Sequence, residues 1–177
     1  MIIGIKHTGK RNFGQGLVEL ALTLPIFLLV VYGIFELGRA IFMYSAVLNA
    51  SRDAARYAAA ADNVRANDAA YLEYYKDCAG IKNRAKTVSS FVDLSASDAI
   101  AISYLRYDPI TDTDSTIASC EILNSTGETL PHGSRVSVTV KAIYNPIVPL
   151  LNFGNIDILS TTTRSIVTGV NIWDDEP

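Results

Sequence analysis

The chain has 177 residues, 49% of them hydrophobic and 19% charged, and a formal charge of −3. That length allows one membrane element and one modest domain. The acidic balance, without clustered Lys and Arg, excludes a nucleic-acid surface.

The first fourteen residues carry Lys6, Lys10 and Arg11, no acidic residue, and end in Gly14. Leu17 to Phe35 follows as a mostly apolar run of 19 residues whose one charge is the carboxylate of Glu19. As a helix this run spans about 28 Å at 1.5 Å per residue, close to a hydrocarbon core of about 30 Å. It exceeds the apolar region of most signal peptides, and the nearby Tyr44-Ser45-Ala46 is a poor cleavage site, so an uncleaved anchor is expected. The basic residues before the span predict a cytoplasmic N-terminus and an exported remainder. A carboxylate inside the mouth of a span costs a few kcal/mol unless it finds a partner, which makes Glu19 a functional residue by default.

The helical pattern continues beyond the span. Leu37 to Ala61 lacks proline, and Ile41, Tyr44, Val47, Leu48, Ser51, Ala54, Ala55 and Ala58 recur at helical spacing. One helix from about Gln15 to Ala61 is predicted, with Pro25 tolerated inside the bilayer. Glu36 and Arg39, three apart, form an expected interfacial pair with Tyr32 and Tyr44 as aromatic anchors. Asp53, Arg52 and Arg56 are expected to lie near one another on the helix surface. Gly33 and Gly38 are read as helix-packing residues.

Between Asp62 and Phe91, residues Ala69, Ala70, Leu72 and Tyr75 predict a turn or two of helix. Ile81, Ala85 and Val88 predict another, with breaks at Asn67-Asp68 and Cys78-Ala79-Gly80. The period then changes. Strands are expected at Ile100–Tyr107, Ser115–Leu123, Arg135–Tyr144 and Ile156–Val167, with a turn at Thr126-Gly127-Glu128 and a stop at Asn145-Pro146. Val136, Val138 and Val140 should share one face, and the Trp173–Pro177 end should fray. Strands after a helix favour an antiparallel sheet packed against it, an α+β domain. Cys78 and Cys120, an even pair in an exported domain, read as a disulfide, the alternative being two buried free thiols.

The segment from Gly14 resembles the processing region of type IV-like prepilins, in which a basic leader ends in Gly and Glu is the fifth mature residue. Gly14 would end the leader, Gln15 would become the new N-terminus and Glu19 would be the fifth residue. The longer run through Gly33, Glu36, Gly38, Arg39, Asn49, Ala50, Arg52, Asp53, Ala54, Arg56, Tyr57 and Ala58 resembles the TadE-like family. Its members are minor pseudopilins of tight-adherence (Flp) pilus systems. The resemblance covers roughly residues 11–60. The Flp major-pilin pattern has Tyr after the Glu, where this chain has Leu20, which argues against a major subunit.

The resemblance implies three parts: a removed leader at 1–14, a transmembrane and projecting helix at 15–61, and an extracytoplasmic α+β, pilin-like domain at 62–177. It implies prepilin peptidase, other pilin-like subunits, an inner-membrane assembly platform and membrane lipid as partners, and no nucleic acid, cofactor or catalysis. In such filaments the Glu19 carboxylate would neutralise the α-amine that cleavage creates on a neighbouring subunit. Opposite charges attract strongly at low dielectric, which offsets their desolvation and sets register. The competing reading has Glu19 snorkelling to the headgroups near a positive helix start.

Other candidates stay local. Asp108, Asp112 and Asp114 form an acidic loop, a calcium candidate that lacks the EF-hand spacing, glycine and final glutamate; a solvated turn is the alternative. His132 would be the only histidine left after leader removal, and no GxSxG, HExxH or phosphate-binding glycine loop accompanies it. The rival to a filament protein is a signal anchor holding an exported ligand-binding or adhesive domain.

Overall fold

The computed structural model describes residues 13–60, 63–65, 71–147 and 154–166. Residues 1–12 of the expected leader, the Asn67-Asp68 break, Ala69, Ala70, Val167 and the Trp173–Pro177 end lie outside the described residues. The chain divides into two compact units, Met1–Arg39 and Ala40–Pro177. The elements are helix α1 (Phe13–Ala58), strands β1 (Asn63–Arg65) and β2 (Tyr71–Glu73), a 3-10 turn (Tyr74–Lys76) and α2 (Cys78–Val88). Then come β3 (Ile100–Asp108), β4 (Thr113–Ser119), α3 (Cys120–Thr126), β5 (Ser134–Tyr144) and β6 (Ile156–Ser165). A long apolar helix followed by short helices and a four-stranded antiparallel sheet is the expected α+β class.

In the first unit α1 runs through Pro25 without interruption. The Thr23 hydroxyl, one turn after Glu19, donates to the Glu19 carbonyl at 2.9 Å. Leu17, Leu22, Ile26, Phe27 and Phe35 are exposed. A helix apolar on every side, its most apolar stretch unburied among the described residues, needs lipid or other helices around it.

In the second unit the rest of α1 lies in the core with the sheet, whose strand order is β4-β3-β5-β6, every pair antiparallel. Val136, Val138 and Val140 of β5 are fully buried on one face, as their alternation predicts. Ile102 and Tyr104 of β3 join them, together with Val47, Ala50, Ala54, Ala55 and Ala58 of α1. Small side chains on the helix let its backbone come close to the valine face. Ile41 and Tyr44, expected on the same stripe, are instead exposed, because no residue of the sheet covers that part of the helix. The opposite sheet face is hydroxyl-rich: Thr139 meets Thr161 at 2.9 Å, and Thr163 donates to Ser137 at 3.3 Å.

Three local expectations need correction. The helical turn around Leu72 and Tyr75 is strand β2 and a 3-10 turn. A helix of one or two turns is too short to be stable by itself, and here Leu72 pairs opposite Val64 while the Tyr75 ring packs edge-on against Tyr104 at 6.3 Å. Cys78-Ala79-Gly80 is no break but the first turn of α2, because the Asp77 side chain accepts the Gly80 N–H at 2.8 Å as an N-cap. The strand expected over Ser115–Leu123 runs from Thr113 and stops at Ser119, whose hydroxyl accepts from Ile122 N–H and caps α3. Asp53, on the same helix as Arg52 and Arg56 as expected, pairs with Arg84 of α2 at 2.6 Å. The expected turn at Gly127 is the left-handed cap of α3, φ 67°, which a residue without Cβ adopts freely.

Cys78 and Cys120 are joined, with Cα atoms 5.9 Å apart, tying the start of α2 to the start of α3. Tyr104 is buried beside this bond; its hydroxyl donates to the Tyr75 carbonyl and lies 3.0 Å from Cys120 Sγ.

Candidate functional site

The site is the exposed N-terminal part of α1. Its first turn has no acidic residue, so the positive helix end is uncompensated by the helix itself. Gly14, Gln15 and Glu19 all lie within the helix and are exposed. Gln15 and Glu19, four apart, share one face, about 6 Å along the axis. With α1 beginning at Phe13, Glu19 stands in its second turn, beyond the first turn where the helix dipole acts strongly. No ion pair holds the Glu19 carboxylate among the described residues. A side chain added at Gly14, Gly16, Gly33 or Gly38 would meet nothing within 4 Å, so each leaves a shallow open spot on the helix surface. Such spots admit a second helix closely.

Among the described residues this is the one helix long and apolar enough to cross a membrane, and its most apolar stretch is wholly unburied. It fits a single-pass membrane anchor. At the far end of this unit Arg39 bonds Glu36 at 2.9 Å, the pairing expected from their spacing.

The acidic loop takes a different form from a cation site. Asp108 caps the Ile110 N–H at 2.9 Å, Asp112 accepts from the Tyr107 hydroxyl at 2.7 Å, and Asp114 is held by Arg135 at 2.9 Å. Backbone N–H groups and the Thr111 side chain hold the Asp108 carboxyl below its ordinary range. Each carboxylate thus has its own partner, and no group of three metal-ligating side chains converges among the described residues. His132 is an exposed turn residue.

Two clusters were not legible in the sequence. Around α2, the Tyr57 hydroxyl donates to Asp77 at 2.8 Å, and burial together with that carboxylate pushes its pKa up to about 12. Between α1 and β6, the buried Ser51 hydroxyl lies 2.9 Å from both Ser160 Oγ and Thr162 Oγ1. Both join residues 20 to 111 positions apart, so no local pattern announces them.

No curated protein and no solved structure matches the chain. A family model does: residues 14–56 match the one described as TadE-like protein, a segment that begins at the candidate processing glycine and lies wholly within α1. Over that helix, the family signature read from the residues and the family match coincide: both point to the TadE-like family.

Proposed function

We propose that this chain is a minor pseudopilin that takes part in assembling Flp/Tad-type type IV pili for adhesion and biofilm formation. The coarser statement, involvement in the Tad pilus system through a structural, non-enzymatic family, follows from the TadE-like match. One observation supports the finer reading above the others. The matched segment opens on Gly14, and five residues later an exposed carboxylate, without an ion pair among the described residues, stands in a helix whose most apolar stretch is unburied among them.

In this reading the N-terminus is cytoplasmic, the domain is periplasmic, and prepilin peptidase cuts between Gly14 and Gln15. Cleavage removes three positive side chains and creates one α-amine. Glu19 and the corresponding amine of a neighbouring pilin-like subunit then neutralise each other as the apolar helices pack, on the inner-membrane platform. Glu19 is the assembly residue; Gly14 and Gln15 are the processing site. The filament role requires a partnered Glu19, whereas a plain signal anchor does not.

Mass spectrometry of the membrane-extracted protein tests the cut: an N-terminus at Gln15 is expected, and an intact leader overturns it. Glu19→Gln should insert into the membrane normally yet lower pilus assembly at least tenfold. Unchanged assembly would return the chain to an anchored adhesive or ligand-binding domain with no filament role.

A further inference from the structure

An open cleft of about 650 Å³ in the second unit is lined by Arg52 and Arg56 of α1, Arg135 of β5, and Thr162 and Arg164 of β6. Its chemistry is at odds with the rest of an acidic chain. Arg135 is held by Asp114, but Arg52, Arg56 and Arg164 have no ion pair among the described residues, and all three are exposed. Their convergence has a structural cause. Arg52 and Arg56 are four apart on the helix, just after Ser51. Arg164 pairs opposite Val136, and Thr162 opposite Val138, so both stand on the helix-facing side of the sheet. The Ser51 hydroxyl bonds to Ser160 and Thr162 then hold the edge strand against the helix and bring Arg164 up beside the two helix arginines. Three like charges held together repel, and an anion relieves that repulsion. Guanidinium forks match carboxylates in bidentate pairs.

We propose that this cleft is an anion-binding site for clustered carboxylates of a protein segment, namely this chain's own Asp174-Asp175-Glu176 run. Charge complementarity and reach carry the assignment. Arg164 lines the cleft, and the description ends two residues later at Ile166. Asp174 lies eight residues further, at most about 29 Å of extended chain. The run can therefore meet its own cleft. The idea is independent of filament assembly and of cleavage at Gly14.

The test uses the full chain in detergent micelles and, as probe, a fluorescein-labelled peptide of residues 170–177, VNIWDDEP. The host carries Asp174→Asn, Asp175→Asn and Glu176→Gln, so that its own run cannot compete. Saturable binding is expected, weakening at least tenfold on raising salt from low to high, and at least tenfold in Arg52→Ala with Arg164→Ala. Arg56→Ala alone should weaken it severalfold, and a far-UV spectrum confirms that each variant is folded. Against the unaltered chain the peptide should bind at least fivefold more weakly. That difference should survive dilution; if dilution abolishes it, a second copy supplies the run and the assignment to the chain's own run is overturned. Equal binding of a VNIWNNQP peptide, arginine variants that bind as well as the host, or displacement by inorganic phosphate as effective as by unlabelled peptide would each overturn the proposal.

Discussion

At the scale of single residues, the domain depends on a few polar groups buried by long-range contacts. Ser51 is fully buried and its hydroxyl has three oxygen neighbours: the Leu48 carbonyl at 3.0 Å, and Ser160 and Thr162 at 2.9 Å. Ser51→Ala leaves the buried Ser160 hydroxyl short of a partner and should lower unfolding free energy by about 1–2 kcal/mol, as read by urea denaturation. Gly80 is similarly constrained: a Cβ there would lie 1.9 Å from Asp77 Oδ2 and 2.7 Å from the Tyr57 hydroxyl. Gly80→Ala should break both the Asp77 cap and the Tyr57 bond, costing about 1–3 kcal/mol in the same measurement. Tyr57 also has a pH signature. Its folded pKa stands near 12 against an ordinary 10, so the folded state keeps a proton that the unfolded state loses. Its stabilising contribution is complete below pH 10 and disappears as pH rises from about 10 to 12. Burial raises Tyr104 and Tyr75 in the same direction. Tyr57→Phe should therefore flatten the alkaline loss of stability, and an unaltered profile would contradict the assignment.

At the scale of elements, the sequence is a better guide to strongly periodic segments than to short ones. The alternation of β5 gave the buried valines correctly, and the apolar run with its alanine-rich continuation gave α1 to within a few residues. Short elements depend on contacts that no local window contains: β2 exists because β1 pairs with it, and α3 because Ser119 caps it over buried Cys120. The Cys78–Cys120 bond ties two such marginal helices together across a sequence separation of 42. Its reduction should cost about 4 kcal/mol on the chain-entropy model and lower the urea midpoint accordingly. Glu121 and Lys82 bridge the same two helices at 2.6 Å, and the Lys82 hydrogen bond lowers the Glu121 pKa. That contribution is present above the ordinary glutamate range and fades as pH falls through the lowered value.

At the scale of the whole molecule, α1 has two employments divided at the boundary between the units. Up to Arg39 its side chains lie open; from Val47 onward its small residues fill the core of the domain. A chain beginning at Ala40 should therefore fold without detergent and unfold cooperatively. One beginning at Ala59 should not fold, because it lacks Val47, Ala50, Ala54, Ala55 and Ala58 against the valine face. Circular dichroism and size-exclusion chromatography distinguish these outcomes.

The sequence by itself determined the long apolar helix, its resemblance to the TadE-like family and the α+β class, and it nominated Gly14 and Glu19 as site residues. Each rests on charge or hydrophobic periodicity within one continuous stretch, which needs no knowledge of what packs where. Only the tertiary structure decided that Asp53 seeks Arg84, that the three loop aspartates have separate partners, and that Arg164 joins Arg52 and Arg56. Those outcomes depend on strand register and helix placement over a hundred residues of separation. Register comes from the sum of many weak side-chain contacts, and no single stretch of sequence contains them.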